Sequence, residues 1–429
     1  MLATGAAAVT VVGATAGVSG ASKVAHAGQV VNITYWNMWS GKWTTLIDKL
    51  VGEFNAAHPD IHVTALSIPS SNGDQKLLSA IAAGDPPSVF TEWNPEIGAY
   101  ATQGALQPLN KFETGAYAGM KNFLPPVTAS WATYKGKLYG LPMSMNSFEL
   151  YYNKSIMKAA GIKAPPKTMQ QLYVDQNKEW KYTGGKLTQM GFYPSTNWDQ
   201  LMPAFNVESF KNGHYDLATN PGAVAEMKYL AKYSKYPSSQ VQGLEAAVGN
   251  AVGGSVDPFV MGKAGFWISG MWEIPEISSQ NPSMQYGVEP IPPAPGGRAG
   301  ATWINGNYNV IPKGAPHTQQ AWQFMTWMSG YHNAAWAAQA LPQGGWIPPS
   351  KSIAKQPAYR KYEAQNKFYK GFVNIDYVPG DMITPVTPGE AEYESFMTTA
   401  QTEVLDKKMT PIQALKSVDA AANKALVGG

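Results

Sequence analysis

The run Val30 to Trp36 (VVNITYW) reads as a strand, and Trp43, Leu46, Ile47, Leu50, Val51 and Phe54 then recur at helical spacing on one face before His58-Pro59. Ile61 to Ile68 predicts a second strand. Leu77, Leu78 and Ile81 mark a second helix stopped by Gly84, and Val89-Phe90 opens a third strand. Strands and helices alternating at such short intervals predict a parallel sheet with right-handed crossovers. Ligands of such sheets bind beyond the carboxyl ends of the strands. That rule singles out Trp39 and Ser40 after the first strand, and Glu92 and Trp93 after the third.

Further on, Tyr134 to Pro142 predicts a short hairpin around Gly136, with Pro142 blocking further sheet pairing. Phe148 to Asn153 has strand composition. Asn153-Lys154-Ser155 opens a helix that ends at Gly161, and Thr168 is placed to cap the next one. A strand that leaves one compact region at Pro142 and starts a new unit in another makes Met143 to Ser147 a hinge candidate. Met190 to Phe192 predicts a strand that opens into Trp198 and Asp199, and Phe266-Trp267-Ile268 one that opens into Trp272. Trp303 to Pro312 (WINGNYNVIP), after the Gly-rich turn at Gly296 and Gly297, predicts a return crossing into the first compact region. A helix follows over Gln319 to Met328, and a third crossing is expected near 329–333.

Several of these pieces resemble the carbohydrate-binding extracellular solute-binding proteins of ABC transporters, the family that includes the maltose-binding proteins. The resemblance rests on Gly136-Lys137-Leu138-Tyr139-Gly140-Leu141-Pro142, Tyr151-Tyr152-Asn153-Lys154, Ala160-Gly161-Ile162 and Pro165-Pro166-Lys167-Thr168. It continues through Ala80 to Pro87, Gly104 to Leu109, the Gly270-Met271-Trp272 loop and Gly345-Trp346-Ile347-Pro348. Pro87-Ser88 departs from the Pro-Asp pair usual in the family. The resemblance implies an α/β two-lobed periplasmic-binding-protein fold (type II), each lobe a mostly parallel sheet flanked by helices and joined by a multi-strand hinge. On that fold, residues 29–143 with 303–330 form one lobe and 144–302 with 331–429 the other, with crossings near 143–147, 299–303 and 329–333. It also implies a ligand held between the lobes, a membrane permease as partner, an extracytoplasmic location, and no cofactor.

Composition narrows the chemistry. Charged residues are only 14% of the 429, the net charge of +3 is spread along the chain, and nothing points to nucleic acid; a monomer is expected. With no cysteine there is no disulfide, thiol catalysis or lipid-attachment site, so the protein is freely soluble or its start lies upstream. Residues 1–28 hold an apolar stretch and Ala25-His26-Ala27, an export signature without a basic leader. A surface with few carboxylates changes its charge little on acidification, which suggests an acidic exterior habitat. His58 and His62 flank Pro59 and do not form a metal pair. No Gly-x-Ser-x-Gly elbow, phosphate loop or dinucleotide fingerprint occurs. Glu390, Glu392 and Glu394 read as a solvated helix start.

Fourteen tryptophans, several at strand exits, supply flat faces for the C–H faces of sugar rings, while neighbouring amides and hydroxyls satisfy the sugar's own hydroxyls. The stacking candidates are Trp39, Trp93, Trp198, Trp272, Trp303 and Trp346, about half of them expected to touch ligand. The polar candidates are Ser40, Glu92, Asn146, Asp199, Asn305 and Asn307. The expected function is capture of an oligosaccharide for an importer. The alternatives are a phosphorylated-polyol binder, which the lack of a local Lys/Arg cluster disfavours, and an exported glycoside-active enzyme.

Overall fold

The computed structural model describes residues 29–193, 200–252, 257–372, 382–383 and 385–427. The export signature at 1–28 and the pair Trp198 and Asp199 lie outside the described residues. Among the described residues, fifteen strands follow in chain order: β1 (Val31–Asn37), β2 (Ile61–Ser67), β3 (Val89–Trp93), β4 (Thr133–Tyr134), β5 (Lys137–Leu138), β6 (Gly140–Asn146), β7 (Phe148–Asn153), β8 (Lys181–Thr183), β9 (Lys186–Tyr193), β10 (Phe210–Lys211), β11 (His214–Tyr215), β12 (Ala264–Gly270), β13 (Tyr286–Glu289), β14 (Trp303–Val310) and β15 (Met382–Ile383).

Two large sheets carry the fold. The first runs β2-β1-β3-β14, with β6 and β15 both pairing to β14; the second runs β13-β7-β12-β9-β8. Strands β1, β2 and β3 are mutually parallel as the periodicity predicts. The second sheet is mixed. Only β9 and β12 run parallel there, because β7 enters by crossing from the first sheet and pairs antiparallel with both β12 and β13.

Local signals form as read. The helix Lys42–Ala57 buries Ile47, Leu50, Val51 and Phe54 and ends at His58, while Gly84 closes the helix Ser70–Ala83 at φ 75°, a left-handed conformation cheap for glycine. Asn153 Oδ1 accepts from the backbone N–H groups of Ser155 and Ile156, and the Thr168 hydroxyl from that of Gln171. One expectation fails: Pro142 does not end sheet pairing. It lies within β6 opposite Tyr308, where the register shifts, and an edge strand tolerates the lost donor at such an irregularity.

The consecutive strands β6 and β7 belong to different sheets, so the chain passes from one sheet to the other at Ser147, and it returns between β13 and β14. The two passages hold each other. Thr302 Oγ1 donates to the Phe148 carbonyl at 2.7 Å and accepts from the Phe148 N–H at 2.9 Å. A third segment lies alongside, its Ile347 carbonyl accepting from the Met145 N–H at 2.9 Å. The helix Ala334–Ala340 stays with the first sheet: Trp336 packs on Trp327 with ring centroids 3.6 Å apart and donates to Glu53.

Among the described residues, one apolar cluster fills the first sheet and continues through Met143, Met145, Trp346 and Ile347 to a face of the second. The other cluster lies on the opposite face, where helices Glu390–Leu405 and Pro411–Val427 pack with Pro221–Ala231. Glu390 is therefore no solvated helix start. It is buried, and the Tyr215 hydroxyl donates to it at 2.6 Å.

Candidate functional site

Strand β14 alternates Trp303, Asn305, Asn307, Asn309 on one face with Ile304, Gly306, Tyr308, Val310 on the other, and the whole strand is buried. A central strand with that much polarity must place its amides against partners or a ligand. Asn309 Oδ1 accepts from Thr91 at 2.9 Å, and Asn307 Nδ2 donates to Ser144 at 3.0 Å. Asn146, directly opposite Asn305, donates its Nδ2 to Asn305 Oδ1 at 2.9 Å. That leaves Asn146 Oδ1 and Asn305 Nδ2 with no hydrogen-bond partner among the described residues, one acceptor beside one donor.

Asn146, Asn305 and Asn307, but not Asn309, line a cavity of about 470 Å³ between the sheets. It gathers Trp39, Glu92, Trp93, Asn146, Trp272, Asn305, Asn307 and Trp346 from the sequence-derived candidates. Trp39, Trp43 and Trp346 form an aromatic wall, with centroids 5.3 Å apart for Trp39 and Trp346 and 6.0 Å for Trp43 and Trp346. Trp272 stands edge-on to Phe148 at 5.6 Å.

Two glycines permit these poses. A Cβ on Gly270 would lie 2.1 Å from the Trp272 ring and one on Gly344 2.5 Å from the Trp346 ring, so each indole folds back over the glycine two residues before it. This geometry explains the spacing of Gly270-Met271-Trp272 and repeats it at 344–346.

Two candidates are placed elsewhere. Trp303 is buried between Phe148, stacked on it at 5.3 Å, and Trp93 at 5.6 Å, so it backs the wall from inside the core. Ser40 is exposed beyond the end of β1 and does not line the cavity.

Sequence reasoning missed an acidic wall of Asp74, Glu96 and Glu394, together with Met38, Trp43 and Gln200. A signal existed for Glu96, one turn beyond Glu92 past the exit of β3. None existed for Glu394, which the C-terminal helix Glu390–Leu405 brings against the helix Asn94–Thr102. Burial, then the charges of Asp74 and Glu96, push the Glu92 carboxyl well above its ordinary range. Burial first, then Asp74 and Glu392, raise Glu96 to about 8. Glu92 is held by accepting the Trp93 N–H on Oε1 at 2.8 Å, and its Oε2 has no partner among the described residues. No Lys, Arg or His occurs among the described lining residues. Lys42, whose ammonium lies 4.8 Å from the Trp43 ring centroid, pairs with Glu276 and so ties the first-sheet helix to the helix Glu273–Gln280 that follows β12.

A two-lobed α/β chain with an aromatic and polar cavity between its lobes defines a protein that encloses a small ligand. The family model for bacterial extracellular solute-binding protein matches residues 49–367, and the chain belongs to that family. The mannotriose-bound structure of CpMnBP1 is similar at 29% identity and a TM-score of 0.78, covering 91% of this chain and 100% of that one. A galactooligosaccharide-binding protein of Bacillus subtilis is 24% identical over 81% of this chain and 82% of its own. An sn-glycerol-3-phosphate-binding periplasmic protein of Escherichia coli is 30% identical over 39% of each chain. The family is extracellular, and among the described residues no helix is long and apolar enough to cross a membrane.

Proposed function

We propose that the chain captures an oligosaccharide of a few hexose units between its lobes and presents it to the membrane permease of an ABC importer. The observation that carries this reading is the pairing of indoles with the unsatisfied amides Asn146 and Asn305. A sugar hydroxyl donates and accepts at once, so it satisfies both spare atoms, whereas an apolar guest leaves them unpaired at about 1–3 kcal/mol each. The mannotriose bound by CpMnBP1 supports a ligand of that size. Ligand contacts to both walls favour the form in which the lobes meet.

The lobes proposed are 29–146 with 303–344, and 147–302 with the helices from 351 onward. The third crossing moves to 345–350, beyond the 329–333 expected, because Trp336 packs on the first lobe and Ile347 runs beside Met145. The protein works as a monomer without a cofactor, in the periplasm or at the cell surface, and leaves its ligand chemically unchanged. The acidic wall disfavours a phosphorylated polyol.

Titration of tryptophan fluorescence with mannotriose, maltotriose, a galactooligosaccharide and sn-glycerol 3-phosphate, followed by chromatography of the sugars, tests the reading. Stoichiometric, saturable change with an intact sugar is expected. Released monosaccharide, or a response to sn-glycerol 3-phosphate alone, overturns it.

A further inference from the structure

The cavity is chemically lopsided. Its aromatic wall suits any sugar, yet Asp74, Glu92, Glu96 and Glu394 bring four carboxyls to one space with no Lys, Arg or His among the described lining residues. Asp74, Glu92 and Glu96 feel one another's charge, and Glu392 adds to the field at Glu96. Glu92 is 5% exposed, its Oε1 is fixed by the Trp93 N–H, and Oε2 has no partner among the described residues.

Hydroxyls of a neutral sugar can bond to such oxygens, but they bring no charge, and the crowded carboxyls go on holding protons instead of ionising. A bare metal ion would let them ionise. Among the described residues, however, no three carboxylate or imidazole side chains are grouped closely enough to hold one. What remains is a cation spread over a larger body, with donors at its surface and a ring to lie on the indoles.

Resting on the saccharide reading above, we propose that the acidic end of this cavity selects saccharides that carry a protonated ring amine. An ammonium group hydrogen-bonds to Glu92 Oε2 and stabilises the ionised forms of Glu92 and Glu96 beside Asp74, while the neighbouring rings stack on Trp39, Trp272 and Trp346. Partial burial of the pair makes each charge-assisted bond stronger than a hydroxyl contact.

The proposal carries a second consequence. Glu96 holds its proton at neutral pH, since burial and the charges of Asp74 and Glu392 raise it to about 8. A cation lowers that value again and expels the proton, whereas a neutral sugar has no reason to. The titratable groups lining this end are Asp74, Glu92, Glu96 and Glu394, and behind them Glu392 acts on Glu96 while burial and the nearby acids hold the Tyr100 hydroxyl protonated.

Isothermal titration of the full chain at about pH 5.5, where the sugar amine enters already protonated and Glu96 still holds its proton, in two buffers of different ionisation enthalpy, provides the test. The probes are the glucosamine trisaccharide, its N-acetylated counterpart, mannotriose and calcium chloride. We expect the free amine to bind at least about tenfold tighter than the acetylated form, a preference that high salt erodes, with net proton release for the amine alone. Glu96→Gln should shrink both the preference and the proton release, and Glu96→Asp should restore part of each. Circular dichroism checks that both variants fold, and the proton release of the unaltered chain stands as a test without them. Equal or weaker binding of the amine while mannotriose binds overturns this inference and leaves the saccharide reading intact. Failure of every saccharide overturns both, and saturable calcium binding reassigns the acids to a metal and overturns the amine.

Discussion

The Asn146–Asn305 pair makes a prediction in which stability and affinity move in opposite directions. Replacing both residues by leucine removes one hydrogen bond of 2.9 Å and two buried atoms that lack partners. The bond is worth about 0.5–1.5 kcal/mol net, and each orphaned atom costs about 1–3 kcal/mol. The ligand-free double variant is therefore more stable than the parent by roughly 1 kcal/mol or more. With about 2.1 cal/mol/K of unfolding entropy per residue, a chain of this size gains about 1 °C in melting temperature per kcal/mol.

Affinity moves the other way. A hydroxyl that bridged the two amides loses both partners, at least about 2 kcal/mol, or thirtyfold in dissociation constant. The parent chain at about 100 times its dissociation constant gains about 2.7 kcal/mol from mannotriose, and the variant at the same ligand concentration gains little. Differential scanning fluorimetry with and without mannotriose measures both effects in one experiment. A variant that melts lower without ligand yet keeps the full ligand-induced rise would refute the claim that these amides are reserved for a guest.

Other outcomes follow from single positions. Gly270→Ala places a methyl 2.1 Å from the Trp272 ring and must displace it, so mannotriose affinity falls severalfold by fluorescence titration while the far-ultraviolet circular dichroism is unchanged. Glu96 and Glu179 are raised by burial from the ordinary 4.5 to about 8 and about 9, so the folded chain binds more protons than the unfolded one between these limits. Stability is then fully present below about pH 4.5 and declines as pH rises towards 9. Melting temperatures across that range check this, and Glu179→Gln should flatten the alkaline part of the curve. Lys42→Ala removes the Lys42–Glu276 tie between helices of the two sheets, a partly exposed pair worth about 0.2–1 kcal/mol, and should raise the ligand dissociation rate by at most about fivefold in stopped-flow fluorescence.

The local grammar of the chain was sufficient for its elements. Apolar spacing marked the helix Lys42–Ala57, Asn153 and Thr168 announced their caps, and Gly84 and Gly161 supplied the left-handed residues that end helices. The strand-exit rule reached Trp39, Glu92 and Trp93 because it depends only on chain direction within a parallel sheet. The passages between the two sheets at Ser147 and before Trp303 fall where the chain was read to cross, although the proline taken as the end of the first strand lies within β6.

What the sequence could not determine was which side chains share a space. Trp303 and Trp272 look alike along the chain. One is clamped between Phe148 and Trp93 and the other faces the cavity, a difference set by packing across the two sheets. Glu394 belongs to the acidic wall only because the C-terminal helix is folded back against the helix Asn94–Thr102. A carboxylate's field, its proton and its partners depend on neighbours that are distant in sequence, so composition and periodicity settled the architecture, while only the tertiary arrangement decided the charge of the site.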